Sequence, residues 1–160
     1  VASGTPATVA LTAAGIAFRE HPYRHDRSQT DFGAEAAAAL GASPDRVLKT
    51  LITEVDGTLT VAIVPVAGSL DLRALAAAVS GKRAVMADPA VAQRKTGYVL
   101  GGISPVGQRT KLRTVLDESA LLFDTVFVSG GRRGLDVELA PSDLARITGA
   151  VVAAVARRAG

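Results

Sequence analysis

The chain has 160 residues, 48% hydrophobic and 21% charged, a size and balance that fit one globular domain with a contiguous core and exclude a disordered chain. It contains no cysteine, which excludes disulfides, zinc-thiolate sites and a thiol nucleophile, so any sulfur chemistry must arrive with a substrate. Eighteen Lys and Arg against fifteen Asp and Glu give a net charge of +3, which permits an anionic partner without requiring one.

In chain order, Val1–Gly4 is expected to be a disordered start outside the domain, which then runs over residues 5–158. Thr5-Pro6 reads as a helix N-cap followed by proline at the first helical position, with Gly15 closing the helix. The apolar stretch "VALTAAGIAF" has no basic segment before it and no small-residue cleavage site after it, and no apolar run approaches the roughly 20 residues that cross a bilayer. A cytoplasmic protein with no membrane partner is therefore expected. A strand is expected over Ile16–Tyr23, a helix in "DFGAEAAAALG" with Gly41 as its stop, and a second Ser-Pro helix start at Ser43-Pro44.

Strands Val47–Val55 and Leu59–Val66 flank Asp56-Gly57, a strong short-range hairpin signal. "LDLRALAAAVSG" sets Leu72, Leu75, Ala76 and Val79 on one helical face. Beyond it come a strand at Arg83–Ala87, a helix start at Asp88-Pro89, strands at Tyr98–Leu100, Thr125–Ser129 and Leu135–Leu139, and a further start signal around Pro141. The last ten residues, "VVAAVARRAG", fit helix or strand equally well. Helices scattered among hairpins predict a single mixed α/β domain, with a mostly antiparallel sheet flanked by helices and not a doubly wound Rossmann arrangement.

Lys49 stands in mid-strand in "VLKTLI", and two-residue alternation places it on one face with Val47 and Leu51, so its ammonium must either snorkel outward or meet an anion. The chain has four lysines against fourteen arginines, and a compact point charge at this position is a choice over the planar guanidinium. His21 and His25 are spaced as metal ligands on a helix, but Pro22 and the strand-like pattern argue against helix, and no metal site is expected. Ser104 and Ser129 lack a nucleophile elbow, since Ser104 is followed by Pro105, which has no N–H for an oxyanion hole. The loops "YVLGGISPVG" and "SGGRRGLD" lack the lysine of a phosphate-binding loop and open no long helix; each reads as a turn or as main chain laid open to a ligand.

Taken together, "HPYRHD", "FGAEAAAALG", "VLKTL", "VPVAGSLDL", "ADPAVAQRKTGYVLGGISPVGQ" and "VSGGRRGLDVELAPSDLARI" are similar to the bacterial YbaK proteins. These are free-standing Cys-tRNA deacylases related to the editing domain inserted in prolyl-tRNA synthetases. The resemblance implies a curved mixed sheet flanked by helices and hydrolytic clearing of cysteine from Cys-tRNA(Pro), with Cys-tRNA(Cys) as a further substrate. No cofactor is implied. The expected partners are the acceptor end of the tRNA and prolyl-tRNA synthetase.

By position, the resemblance assigns Lys49, Gly101, Gly102 and Ser104 to catalysis and Tyr23, Thr50, Ile103, Pro105, Ser129 and Asp136 to substrate binding. It implies that the substrate thiol attacks its own ester, with N–H groups of the 101–104 turn holding the carbonyl oxygen. Two alternatives stand beside it: a deacylase for alanine or other small residues in which water attacks, and a non-catalytic binder of aminoacyl-tRNA or nucleotide.

Overall fold

The computed structural model describes residues 4–158; Val1–Ser3, most of the expected disordered start, lie outside the described residues. Helix α1 (Pro6–Ala13) begins where Thr5 caps it, the Thr5 Oγ1 accepting from the Thr8 N–H, and Gly15 turns the chain at φ +69° toward strand β1 (Phe18–Pro22). Helix α2 (Phe32–Leu40) starts on the Asp31 carboxylate, which accepts from Ala34 N–H, and ends in left-handed Gly41. The Ser43-Pro44 signal makes no helix. Ser43 accepts from the N–H groups of Asp45 and Arg46 and so closes one turn, because strand β2 (Leu48–Val55) begins only a few residues later.

Strands β2 and β3 (Thr58–Pro65) form the expected hairpin, with Asp56 at φ +49° and Gly57 at φ +84°, the pair of positive angles that matches the twist of the two strands. The remaining elements are β4 (Gly68–Leu70), α3 (Leu72–Ala78), β5 (Ala84–Met86), α4 (Pro89–Thr96), β6 (Arg113–Asp117), a short 3-10 turn at Glu118–Leu122, β7 (Val126–Arg132), β8 (Leu135–Leu139), α5 (Pro141–Thr148), β9 (Val151–Ala153) and β10 (Ala156–Arg158). They build a five-stranded sheet in the order β5-β2-β3-β6-β9, a three-stranded sheet β1-β8-β7 and a two-stranded ribbon β10-β4. All strand pairings are antiparallel except β3 with β6 and β6 with β9, and the isolated bridge between Val47 and Phe127 is parallel.

Alternation along the central strands covers both faces of the larger sheet. Leu48, Ile52, Val61, Ile63 and Leu116 face a core shared with α1 and the three-stranded sheet, while Val55, Ala62, Val64 and Val115 face Leu75 and Ala76 of α3. The two larger sheets meet at one bridge, Val47 with Phe127, where the Phe127 N–H donates to the Arg46 carbonyl at 2.9 Å.

Elsewhere the structure departs from the sequence reading, or adds to it, at three places. Tyr98–Leu100 is no strand: left-handed Gly97 ends α4, and the Leu100 N–H bonds the Gln93 side chain at 2.9 Å instead of a neighbouring strand. Strand β6, which the sequence reading passed over, lies between β3 and β9. The last ten residues, left open between helix and strand, supply β9 and β10 within their described part.

Strands β9 and β10 are fastened through Asp117. Its carboxylate, 4% exposed, accepts from the N–H groups of Val155 (2.9 Å), Ala156 (3.0 Å) and Ser119 (3.2 Å) and from the Ser119 hydroxyl. Asp117→Ala strands buried donors and is expected to lower the unfolding free energy by ~2–4 kcal/mol in a denaturant titration, whereas Ser119→Ala costs ~1 kcal/mol.

Candidate active site

After the Val47–Phe127 bridge, β7 parts from β2. A cavity of about 530 Å³ opens in the gap, with Val47, Leu48, Lys49, Thr50 and Leu51 along one wall and Ser129 of β7 and Asp136 of β8 along another. Phe32 and Gly33 at the start of α2, with Leu100, Gly101 and Ile103, close it. Thr50 belongs to the half of β2 that β5 does not pair, since β5 meets only Thr53–Val55. Val66 N–H donates to Val47 O on the β3 side and Ala87 N–H to Ile52 O on the opposite side, so by alternation the Thr50 backbone points away from β3, along the strand edge that faces the gap.

Lys49 reaches the cavity as a half-buried cation. Its Nζ donates to the Gly68 carbonyl at 3.0 Å, and no carboxylate lies within ion-pair distance among the described residues. An ammonium has three donors, so two remain for an incoming oxygen. Next to it, the Thr50 hydroxyl is buried without any partner. Buried polar atoms are almost always hydrogen-bonded, and an orphan lining a cavity points to a ligand atom.

Opposite, Asp136 is 5% exposed, and burial pushes its carboxyl up to about 7. It stands in register between His21 of β1 and Ser129 of β7. Burial, and then the neighbouring Asp136 carboxyl, push the Tyr23 phenol up to about 12, so it remains a neutral donor. The Ser129 hydroxyl accepts from Gly131 N–H at 3.2 Å and meets no imidazole. His21 and His25 bond Glu138 (2.8 Å) and Glu35 (2.6 Å), two carboxylates on different elements.

The glycine-rich loop divides. Gly101 and Ile103 line the cavity; Gly102, Ser104 and Pro105 are buried behind it. At Gly102 the tight approach is made by the protein, since a Cβ there would lie 2.8 Å from Arg132 Cα, and its N–H already donates to Val99 O. The main chain of Gly102 is thus engaged with the protein in this structure. Ser104 Oγ accepts from Val106 N–H at 3.2 Å and shapes the turn. Gly101, at φ +82°, is covered by the Phe32 ring, 2.7 Å from where a Cβ would stand. Among the described residues, the N–H groups of Gly101 and Ile103 have no protein acceptor, which leaves two backbone donors at the cavity.

Phe32 escaped the sequence reading. The Arg133 guanidinium lies 4.8 Å over its ring, and Arg133 Nε donates to Leu100 O at 2.7 Å, tying α2, the glycine loop and the β7–β8 hairpin together at the cavity. The only local signal was the Asp31 cap that begins its helix.

The parted strands thus bring together a lysine, an orphan hydroxyl and a buried carboxyl, with no paired nucleophile beside them among the described residues. Residues 28–147 match the aminoacyl-tRNA editing domain family, and the chain belongs to it, as the resemblance to YbaK proteins implied; it is an aminoacyl-tRNA deacylase. A relative from Enterococcus faecalis, named "Putative Cys-tRNA(Pro)/Cys-tRNA(Cys) deacylase EbsC", is 36% identical over 128 residues, covering 79% of this chain and 78% of its own. The crystal structure of a hypothetical protein superposes with a TM-score of 0.85 at 30% identity, over 95% of this chain and 99% of that one. Another, titled "a putative trans-editing enzyme for prolyl tRNA synthetase", gives 0.81 at 30% identity over 95% of each chain. Among the described residues, no helix is long and apolar enough to cross a membrane.

Two outcomes follow. With its folded pKa raised from 3.8 to about 7, Asp136 binds more protons folded than unfolded between those values, so stability falls as pH rises through that window, by up to ~1.4 kcal/mol per pH unit. Asp136→Asn is expected to flatten that part of the stability-pH curve. Thr50→Val removes an orphan hydroxyl and is expected to leave unfolding free energy unchanged or raise it by ~1 kcal/mol, while lowering deacylation about tenfold in a single-turnover assay.

Proposed function

We propose that this chain clears cysteine from Cys-tRNA(Pro), and from Cys-tRNA(Cys), by letting the substrate attack itself, and that it acts in trans beside prolyl-tRNA synthetase. The observation that carries this reading is a cavity equipped to orient and polarise but not to attack. Cysteine is absent, Ser104 is buried behind the wall, and Ser129 has no imidazole beside it. The names of the Enterococcus relative and of the trans-editing structure support the choice of amino acid and of synthetase.

In this reading the ester lies between Lys49 and Gly101. The cysteine sulfur bonds to the carbonyl carbon, the bond from that carbon to the ribose oxygen breaks, and the thiol proton ends on the departing ribose hydroxyl. The product is a four-membered cyclic thioester that water opens to free cysteine. Holding sulfur and carbonyl about 3–3.5 Å apart removes several kcal/mol of the barrier through orientation alone. In this reading two Lys49 donors and the Gly101 and Ile103 N–H groups, which have no protein acceptor among the described residues, hold the oxyanion, and losing one such donor typically costs ~10²–10³ in rate. A pocket separates substrates that differ by one methylene by only ~1–3 kcal/mol, whereas self-attack leaves serine slow and alanine inert.

One observation favours a second reading, in which water attacks and the amino acid is alanine or another small residue: a buried carboxyl titrating near neutrality, as Asp136 does, suits a general base. Deacylation of Cys-, Ala- and S-methylcysteinyl-tRNA(Pro) separates the two. Self-attack predicts at least a hundredfold loss when the sulfur is methylated and ~10²–10³ when Lys49→Ala removes the ammonium. An unchanged rate with S-methylcysteine, or alanine released faster than cysteine, contradicts it.

A further inference from the structure

Between Asp88 and Asp117 the chain has no acidic residue and five cations, Arg94, Lys95, Arg109, Lys111 and Arg113, although its net charge is only +3. All five are exposed and make no ion pair among the described residues; the Arg113 guanidinium is held on the Thr60 hydroxyl, which leaves Arg94, Lys95, Arg109 and Lys111. They sit on one hydrogen-bonded ridge. Thr110 N–H donates to Lys95 O at 3.0 Å, Arg109 N–H to Thr96 O at 2.8 Å, and the Arg109 guanidinium to Arg94 O at 3.4 Å, which binds the loop after Gly107 onto the end of α4.

The same turn of α4 reaches the cavity. Gln93 accepts from Leu100 N–H, and the Leu100 carbonyl accepts from Arg133, which covers Phe32. Val99 and Leu100, 54% and 38% exposed, form the apolar crest between the cations and the cavity. A cluster of like charges repels itself unless a polyanion covers it, and an exposed apolar crest beside it marks a contact surface on which an unpaired base can lie.

We propose that this ridge is the docking surface for the RNA: the unpaired 3′ end crosses Val99–Leu100 into the cavity, and the phosphates of the acceptor stem lie along Arg94, Lys95, Arg109 and Lys111. The inference rests on the deacylase reading for what enters the cavity, and it adds where the rest of the molecule is held. Phosphate contacts of this kind carry affinity and salt dependence without reading sequence.

The test compares the R94Q/K95Q/R109Q/K111Q protein with a control lacking four other exposed cations, R73Q/K82Q/R83Q/R146Q. Binding of uncharged tRNA(Pro) is followed by fluorescence anisotropy across a salt series, and hydrolysis is measured on Cys-tRNA(Pro) and on cysteinyl-adenosine, which is too short to reach the ridge. The ridge variant is expected to bind tRNA at least tenfold more weakly at low salt, with the log–log salt slope reduced by about 3. It should hydrolyse cysteinyl-adenosine at the wild-type rate, and the control should keep wild-type tRNA affinity. Equal tRNA affinity for ridge variant and control overturns the proposal, as does an equal loss on cysteinyl-adenosine, which would mean that the cavity itself was damaged. Intact tRNA binding with lost capture of prolyl-tRNA synthetase also overturns it, by assigning the ridge to a protein. Should the wild-type protein release no cysteine at all, the proposed function fails while the anisotropy arm still decides the ridge.

Discussion

Everything about this site follows from one parting of strands. Val47 and Phe127 hold β2 against β7 for a single bridge, and beyond it the two diverge, so that the next residues of β2 run beside an opening instead of a neighbour. A strand edge left unpaired is ordinarily a liability for aggregation. Here the edge is recessed behind Phe32 and the glycine loop, where it serves as a wall that presents Lys49 and Thr50 to a cavity. The bridge is set by packing, with Val47 and Phe127 buried together against α2.

The chemistry that suits such a gap is positioning. Its polar groups are few and separate: a lysine anchored to the Gly68 carbonyl, an orphan threonine hydroxyl, two backbone donors and a carboxyl that burial keeps near its midpoint at neutral pH. None is coupled to a base in the manner of a catalytic triad. The cysteine-free composition fits the proposed division of labour, in which the enzyme would supply geometry and field and the substrate would supply sulfur. Apolar walls around a half-buried ammonium strengthen its field on a nearby carbonyl, because fewer waters screen it. The ribbon β10-β4 holds Gly68, so the pairing of these two strands steadies the carbonyl on which the Lys49 ammonium rests.

Much of this was legible in the sequence, and the failures have physical causes. The β2–β3 hairpin followed from Asp56-Gly57, whose residues tolerate positive φ, and Lys49 stood out as a charge in an aliphatic strand. Strand β6 was missed because "RTVLD" is short and carries no turn signal before it; its partners, β3 and β9, are remote in sequence. Ser43-Pro44 imitated a helix start because the same Ser hydroxyl contact closes a single turn. The loop "GGISPVG" stood open between a plain turn and main chain laid bare to a ligand; at Gly102 and Gly107 the close neighbours are backbone of the protein itself, near Arg132 and Pro6, which no local pattern announces. For Phe32 the Asp31 cap signalled only the helix start, since its place over Gly101 is fixed by contacts that only the folded chain creates.

A crystal structure with cysteinyl-adenosine made inert by an amide in place of the ester tests the central claim most directly. The account predicts the carbonyl oxygen within hydrogen-bond reach of Lys49 Nζ or of the Gly101 and Ile103 N–H groups, and the sulfur folded back to about 3.5 Å from the carbonyl carbon. A ligand with its sulfur pointing away and an ordered water between Asp136 and the carbonyl would contradict it, as would one seated outside the gap between β2 and β7.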